Sequence, residues 1–270
     1  MKGIDISEHQ GPVDWDAVSG IDFVMLRAGY GRGNIDRQFL RNIEACNRRG
    51  IPCGVYWFSY AFTEDMARRE ALYCLSTISP YRLELPVAFD WEYDSRDFAR
   101  QNGVNPDRAL VTAMCHAFCG TVREAGHIPM NYTNVDYLQQ FFDGSTFVYP
   151  LWLAQWSDIR TWSHPEADIW LWQYGLANVP GFPSPVDGNV AYENLEKEIP
   201  MTYEQFKEFM ERYEAERAEL PPGAWSAEGR EWAEQAGLIR GDEQGRKRWR
   251  SFLTREEYAV TLHRAAQHAE

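Results

Sequence analysis

An α/β fold, an irregular β/α barrel of about eight strands with fewer helices and a small all-α appendage, is what this sequence predicts. Three observations predict it. Short apolar runs alternate with longer amphipathic ones through residues 1–200. The short runs are continuously apolar, as strands are when both faces of a parallel sheet are covered. Acidic residues close several of them, and barrels of this kind carry their functional groups at the C-terminal strand ends.

The expected strands, in order, are "GIDIS" (3–7), "FVMLRA" (23–28), "CGVYWFS" (53–59), "LPVAFDWE" (85–92), "IPMNYT" (128–133), "LWLAQW" (151–156), "IWLWQY" (169–174) and a short one near "VDGNVAY" (186–192). They are rich in β-branched and aromatic residues. Helices are expected at 36–49, 64–78, 106–125 and 134–141, thinning out after the fifth strand, so the last third of the barrel is irregular. Residues 1–200 form this module. A linker helix over 201–220 follows, with the N-cap signal Thr202-x-x-Gln205. Pro221, Pro222 and Gly223 end it. Residues 221–270 then read as a second module, with helices at 225–239 and 254–267 joined by the basic loop "RGDEQGRKRWRS".

The strand "LPVAFDWE" raises the main chemical question, because a buried acid is costly unless it is paired or hydrogen-bonded. Side chains alternate along a strand, so Asp90 and Glu92 face one cavity and Trp91 faces away. Two close carboxylates raise one another's proton affinity, letting one act as an acid while the other stays charged. Glycosidic bond cleavage needs such a pair. The structural alternative is that Asp90 caps a following turn and Glu92 pairs with Arg96 or another surface base. Asp5 and Asp187 also fall at strand ends, and four acids at one barrel mouth are harder to explain as isolated caps.

Composition narrows the partners. Aromatics make up 14% of the chain, with 11 Trp and 14 Tyr, which suits a cleft that stacks on sugar rings or a well-filled core. Net charge is −13. From Pro221 onward acidic and basic side chains balance, so residues 1–220 carry the whole excess, and nucleic acid is a poor partner. Cys46, Cys53, Cys74, Cys115 and Cys119 show no regular spacing and no His set, which predicts free thiols, no metal and no cofactor. Cys115 and Cys119 are expected one helical turn apart. His9, His116 and His127 are expected to serve structure. The opening "MKGIDISEHQ" has no long apolar stretch, so neither a secretory signal nor a membrane span is expected.

In the order "GIDISEHQGPVDW", "FVMLRAGYG", "GVYWFSYA", "VAFDWE", "MNYTN", "LWLAQW", "IWLWQYG" and "VDGNVAY", residues 1–195 resemble the lysozymes of glycoside hydrolase family 25, the Chalaropsis-type N-acetylmuramidases. The resemblance implies a TIM-like barrel that cuts the β-1,4 bond between N-acetylmuramic acid and N-acetylglucosamine in peptidoglycan. By motif position it implies Glu92 as general acid/base, Asp90 as its partner, and Asp5 and Asp187 as further cleft acids. The i, i+2 spacing fits direct water attack and also participation by the substrate's own 2-acetamido group; in the latter Asp90 would orient the acetamido nitrogen. Tyr60, Tyr132, Trp156 and Gln173 lie where strands reach the mouth and are expected in the sugar cleft, or in rim packing. Arg27 is expected to pair with cleft acids.

Residues 225–265 resemble a single S-layer homology motif, with Trp225 in its first helix, "GLIRG" at that helix's end and "LTREEYA" opening the second. Two roles follow. Arg246, Lys247, Arg248, Arg250 and Arg255 could grip an anionic wall polymer. Alternatively, Trp225, Trp232 and Trp249 could mediate self-association, since so small a piece has little core. The leading expectation is an endolysin-like muramidase, made in the cytoplasm and reaching the wall at lysis. The other readings are a wall-binding protein without catalysis and a hydrolase of another acetamido-sugar polymer.

Overall fold

Alternation along the strands sorts side chains to two sides of one closed sheet. On β2 (Phe23–Tyr30) Val24, Leu26 and Ala28 pack toward the helices, while Phe23, Met25 and Arg27 turn into the barrel. On β5 (Val87–Asp90) Val87 and Phe89 face the helices, and Ala88 and Asp90 face inward. Two apolar clusters result, one between sheet and helices and one filling the barrel interior. Polar inward positions such as Arg27 and Asp90 are left only near one end.

The computed structural model describes residues 1–192, 203–242 and 245–267. The chain divides into two units, Met1–Ile199 and Pro200–Glu270. The first unit runs β1 (Lys2–Ile6), β2, β3 (Asn34–Ile35), α1 (Phe39–Arg49), β4 (Cys53–Phe58), α2 (Glu64–Ile78), β5, α3 (Tyr93–Gln101), α4 (Arg108–Glu124), β6 (Pro129–Asn134), α5 (Val135–Phe141), β7 (Leu151–Ala154), β8 (Ile169–Ala177) and β9 (Val186–Ala191). Strands β1, β2, β4, β5, β6, β7 and β8 pair in parallel. β9 then closes the ring antiparallel to both β8 and β1, and the two-residue β3 hangs from the end of β2.

The reversal of β9 matters for the site. Its first residues, not its last, reach the mouth where the parallel strands end. Asp187, second in β9, therefore sits directly across from Asp5 of β1. A bulge in β8 skips Tyr174, between the pairs Gln173–Asn189 and Gly175–Gly188, and Gly175 takes the required φ of 138°.

Several boundaries differ from the sequence reading. β5 stops at Asp90 instead of running to Glu92, and α3, which the sequence did not suggest, begins at Tyr93. The signal was present in reverse: the Glu92 backbone N–H donates to Ser95 Oγ at 3.0 Å, closing the helix start. Arg96 pairs with Asp97, not with Glu92. Trp91 faces away from the acids as expected, fully buried against Tyr137 and Phe141. Between Ala154 and Ile169 no helix occurs among the described residues, which is the irregularity expected late in the barrel. All five cysteines are free and buried, with Cys115 and Cys119 Sγ atoms 4.0 Å apart on α4.

The second unit contains α6 (Tyr203–Glu219), α7 (Ala227–Gln235) and α8 (Arg255–Gln267). Thr202, the cap of the signal that runs to Gln205, lies outside the described residues. Of the large apolar side chains described here, Leu238 is buried, while Trp225, Trp232, Tyr258 and Leu262 are exposed. Arg217 lies over the Phe252 ring at 4.7 Å, holding the end of α6 to the segment before α8.

Candidate active site

Each acid reaches the mouth by a different local route. Asp5 projects inward from β1, Asp90 is the last residue of β5, Glu92 stands at the start of α3, and Asp187 enters from the reversed β9. All four line one open cleft of ≈ 740 Å3. Tyr132, Trp156 and Gln173 line the same cleft, together with Arg27, Tyr56, Tyr93 and Trp152.

Tyr60 is not brought into it. The Tyr60 ring packs against Phe58 at 5.2 Å, Phe98 at 5.1 Å and Tyr30 at 6.5 Å, a rim cluster beside the mouth. β4 ends at Phe58, so the chain has already turned outward when it reaches Tyr60.

Asp5 is held most tightly. Its Oδ2 accepts from Gln173 Nε2 at 2.9 Å and Asn189 Nδ2 at 2.7 Å. Burial pushes Asp5 up to about 8 and the charge of Asp187 opposite adds to this, while the two amide donors pull it back. Asn189 in turn accepts from Trp152 Nε1 at 2.8 Å. The sequence reading missed Asn189. Its signal was the i, i+2 relation to Asp187 on one strand face.

Gln173 is a hub more than a free ligand group. Its Oε1 accepts from Tyr132 Oη at 3.2 Å and from Trp156 Nε1, a donor only, at 3.1 Å, and its Nε2 serves Asp5. One N–H remains for a substrate. Trp156 itself is exposed, so its ring face is open to the cleft's contents.

Asp90 is the least satisfied acid. It is 4% exposed, and its Oδ1 is buried without a hydrogen-bond partner. Burial raises it well above the usual carboxylate range, with Glu92 and Asp5 adding and Arg27 opposing. Glu92 is raised by burial, held back by the Tyr132 hydroxyl, and raised further by Asp94 and Asp187. Asp187 is raised by burial. The cleft therefore holds a set of carboxyls that resist losing all their protons at once.

Arg27 lines the cleft but, contrary to expectation, forms its ion pairs with Glu8 and Asp36 and not with the four cleft acids, acting on Asp90 only through its charge. Its Nε donates to Asp36 Oδ2 at 2.8 Å, a second nitrogen lies 3.1 Å from Glu8 Oε1, and a third lies 3.3 Å from His9 Nε2. Arginine only donates, so His9 accepts there. His9 lines the cleft and has a place in this network. His116 bridges Tyr149 Oη at 3.0 Å and Ser145 Oγ at 2.8 Å, and burial lowers His127. No group of three or more His, Cys, Asp or Glu suited to a metal occurs among the described residues.

In the second unit three cations of the basic loop have acidic partners. Arg246 and Arg248 both pair with Asp242, at 3.0 and 3.1 Å, and Lys247 pairs with Glu234 at 2.9 Å. Trp225 is 92% exposed, and Arg255 opens α8.

Comparison with known proteins places this cleft in context. The profile of glycosyl hydrolases family 25 matches residues 4–180. The modular autolysin LytC of Streptococcus pneumoniae, solved in complex with a synthetic peptidoglycan ligand, superposes with a TM-score of 0.64 at 29% identity, over 71% of this chain and 46% of that one. A family 25 glycosyl hydrolase of Bacillus anthracis shares the fold, with a TM-score of 0.61 at 20% identity, over 77% of this chain and 92% of that one. The autolytic lysozyme of Clostridium acetobutylicum is 26% identical over 157 residues, 57% of this chain and 45% of that protein. The chain thus spans less than half the length of the pneumococcal and clostridial relatives.

Proposed function

We propose that this chain, a lysozyme-like glycoside hydrolase that belongs to glycosyl hydrolases family 25, cleaves the β-1,4 bond between N-acetylmuramic acid and N-acetylglucosamine in peptidoglycan. The observation that carries the reading is Asp90 Oδ1, a buried acceptor without a partner in a residue that lines an open cleft, beside a second raised acid, Glu92. A buried acceptor left unmet awaits a donor. An acetamido N–H supplies one.

In this reading burial disfavours the charge of Glu92 and favours its acid form, and Glu92 gives its proton to the leaving glycosidic oxygen. Asp90 accepts the acetamido N–H and sets the acetamido oxygen to attack C1 as the bond breaks. Arg27 favours the Asp90 carboxylate and the acetamido N–H gives it a partner, so that with substrate bound Asp90 faces the oxazolinium as an anion while Glu92 carries the proton. Glu92, now a carboxylate, takes a proton from the water that opens the ring. Asp5 stays protonated to about pH 8 and serves to orient Gln173 and Asn189. Trp156 and Tyr93 offer aromatic faces for sugar rings.

The test is digestion of purified Gram-positive peptidoglycan, with products reduced and identified by mass spectrometry. Wild type is expected to release fragments ending in reduced N-acetylmuramic acid. Glu92→Gln is expected to be slower by about 10²–10⁴-fold while still sedimenting with the wall. Near wild-type clearing by Glu92→Gln would remove Glu92 from the reaction. Release from chitin oligomers but not from walls would point to another acetamido-sugar polymer.

For the second unit we propose wall contact led by Trp225. What supports it is the exposure of that ring, while Arg246, Lys247 and Arg248 of the basic loop are already paired with Asp242 and Glu234. Reaching the wall at lysis, after synthesis in the cytoplasm, completes the reading.

A further inference from the structure

Helix α2 buries Met66, Ala67, Ala71, Cys74 and Ile78, and among them it buries Glu70, which is 2% exposed. A carboxylate on the apolar face of a barrel helix is destabilising unless something there needs it. The need is visible at the end of β4. Sheet pairing stops after Phe58, and the backbone turns through Ser59, Tyr60 and Ala61 with amides that require partners.

Those partners form a chain of contacts leading to the acid pair. The Ser59 N–H donates to the Asp90 carbonyl at 2.7 Å. The Tyr60 N–H donates to Glu70 Oε1 at 3.0 Å. The Ala61 N–H donates to Ser59 Oγ at 3.1 Å. The Ala61 carbonyl accepts from Trp91 Nε1 at 3.1 Å. The turn thus grips the backbone of Asp90 and the ring of Trp91, the residue lying between Asp90 and Glu92.

We propose that Glu70 is a positioning residue for the hydrolysis: by anchoring the 59–61 turn, it fixes the strand end that aims Asp90 and Glu92 into the cleft. The proposal rests on the reading of Asp90 and Glu92 given above. Glu70 does not line the cleft, and it acts only through the turn. Its other oxygen, Oε2, has no hydrogen-bond partner, and Glu70 borders a separate cavity of ≈ 290 Å3 lined also by Arg32, Met66, Arg69 and Tyr73. Burial raises Glu70 to about 7, while the Ser59 hydroxyl, the Tyr60 amide and the Arg32 charge favour its carboxylate. Either protonation state leaves an oxygen able to accept from Tyr60, so the anchor depends on the acceptor more than on the charge.

Misplacing a reacting group by about 1 Å can lower a rate by about 10²-fold. Initial rates of reducing-end release from peptidoglycan, measured for the full chain, separate kcat from apparent KM. Glu70→Ala is expected to lower kcat about tenfold or more, with KM within about twofold and an unchanged far-ultraviolet circular dichroism spectrum. Glu70→Gln keeps the acceptor and is expected to retain most of kcat. Trp91→Phe replaces the indole with a smaller aromatic ring and removes the donor to Ala61, so a loss in kcat without a change in KM is expected again; it also stands in if Glu70→Ala does not fold. Val122→Ala, a buried change on α4, provides a control for lost stability with kcat preserved.

Wild-type kcat in Glu70→Ala or in Trp91→Phe would overturn the proposal, as would a loss in Glu70→Gln as deep as in Glu70→Ala. A kcat loss in Val122→Ala matching that of Glu70→Ala at equal melting temperature would reduce Glu70 to a stability role. Wild type and Glu92→Gln in the same assay keep the two ideas apart. An active wild type, a silent Glu92→Gln and an unaffected Glu70→Ala would remove the positioning role alone. An inactive wild type would remove the hydrolase reading, and the positioning role with it.

Discussion

Asp5 shows how a single carboxyl links the cleft to stability. Its pKa lies at about 8 in the folded chain against an ordinary 3.8, because burial and Asp187 disfavour its charge. The native state therefore keeps a proton that the unfolded chain gives up as pH rises above about 4. Proton binding favours the native state, so this contribution is full below the unfolded pKa and is lost as pH climbs toward 8. Asp5→Asn removes that titration and keeps an oxygen for Gln173 or Asn189. In urea titrations it is expected to gain on the order of 2 kcal/mol over wild type at pH 8 and to match it near pH 4, the gain being moderated by coupling to Asp187. Midpoints tracking wild type at both pH values would mean that Asp5 is ionised in the folded cleft.

Between residues and fold, the barrel strands depend on small side chains where large ones cross the interior. A Cβ added at Gly54 of β4 would lie 2.7 Å from Met25 Sδ, 2.7 Å from the Pro86 carbonyl and 2.8 Å from Leu85 Cβ. One at Gly3 of β1 would lie 2.5 Å from the Phe23 ring. Neither clash is relieved without moving a packed ring or the backbone. Gly54→Ala is expected to destabilise the chain by about 1–3 kcal/mol in urea unfolding, as overpacking of dense cores does. A midpoint within error of wild type would show that β4 can shift away from Met25 and Leu85, and the interior would then be less tightly packed than these distances require. The same scale explains why α3 escaped the sequence reading. "YDSRDFARQ" is mostly polar, and Glu92 serves at once as a cleft acid and as the residue that opens the helix, so one strand-like stretch hid a strand end, a turn and a helix start.

For the whole molecule, two units with different surfaces imply separable tasks. The first unit encloses the acids in a dense barrel, whereas the described part of the second leaves most of its large apolar side chains exposed. If Trp225 contacts the wall by stacking, Trp225→Ala should weaken sedimentation with peptidoglycan about tenfold, while a rise from 50 to 500 mM salt should change wild-type binding little, since stacking is not screened as charge attraction is. Strong salt dependence with no effect of Trp225→Ala would return the role to the basic side chains, Arg255 and Arg248 among them. A concentration-dependent change in sedimentation velocity, abolished by Trp225→Ala, would favour association between copies instead.

Much of this was legible in the chain itself. Continuous apolar runs and amphipathic stretches specify the parallel strands and their helices, because burial on both faces leaves few other solutions, and alternation alone sends Asp90 inward and Trp91 outward. The terminal acids were visible for the same reason. What the tertiary structure decided was direction and company. Only closure of the sheet reverses β9 and sets Asp187 across from Asp5. Only the end of β4 turns Tyr60 away from the cleft, and only long-range packing brings Glu70 to the Tyr60 amide and Asn189 to Asp5. Local pattern records which face of an element is buried; which distant partner meets a buried polar atom depends on how the ring closes.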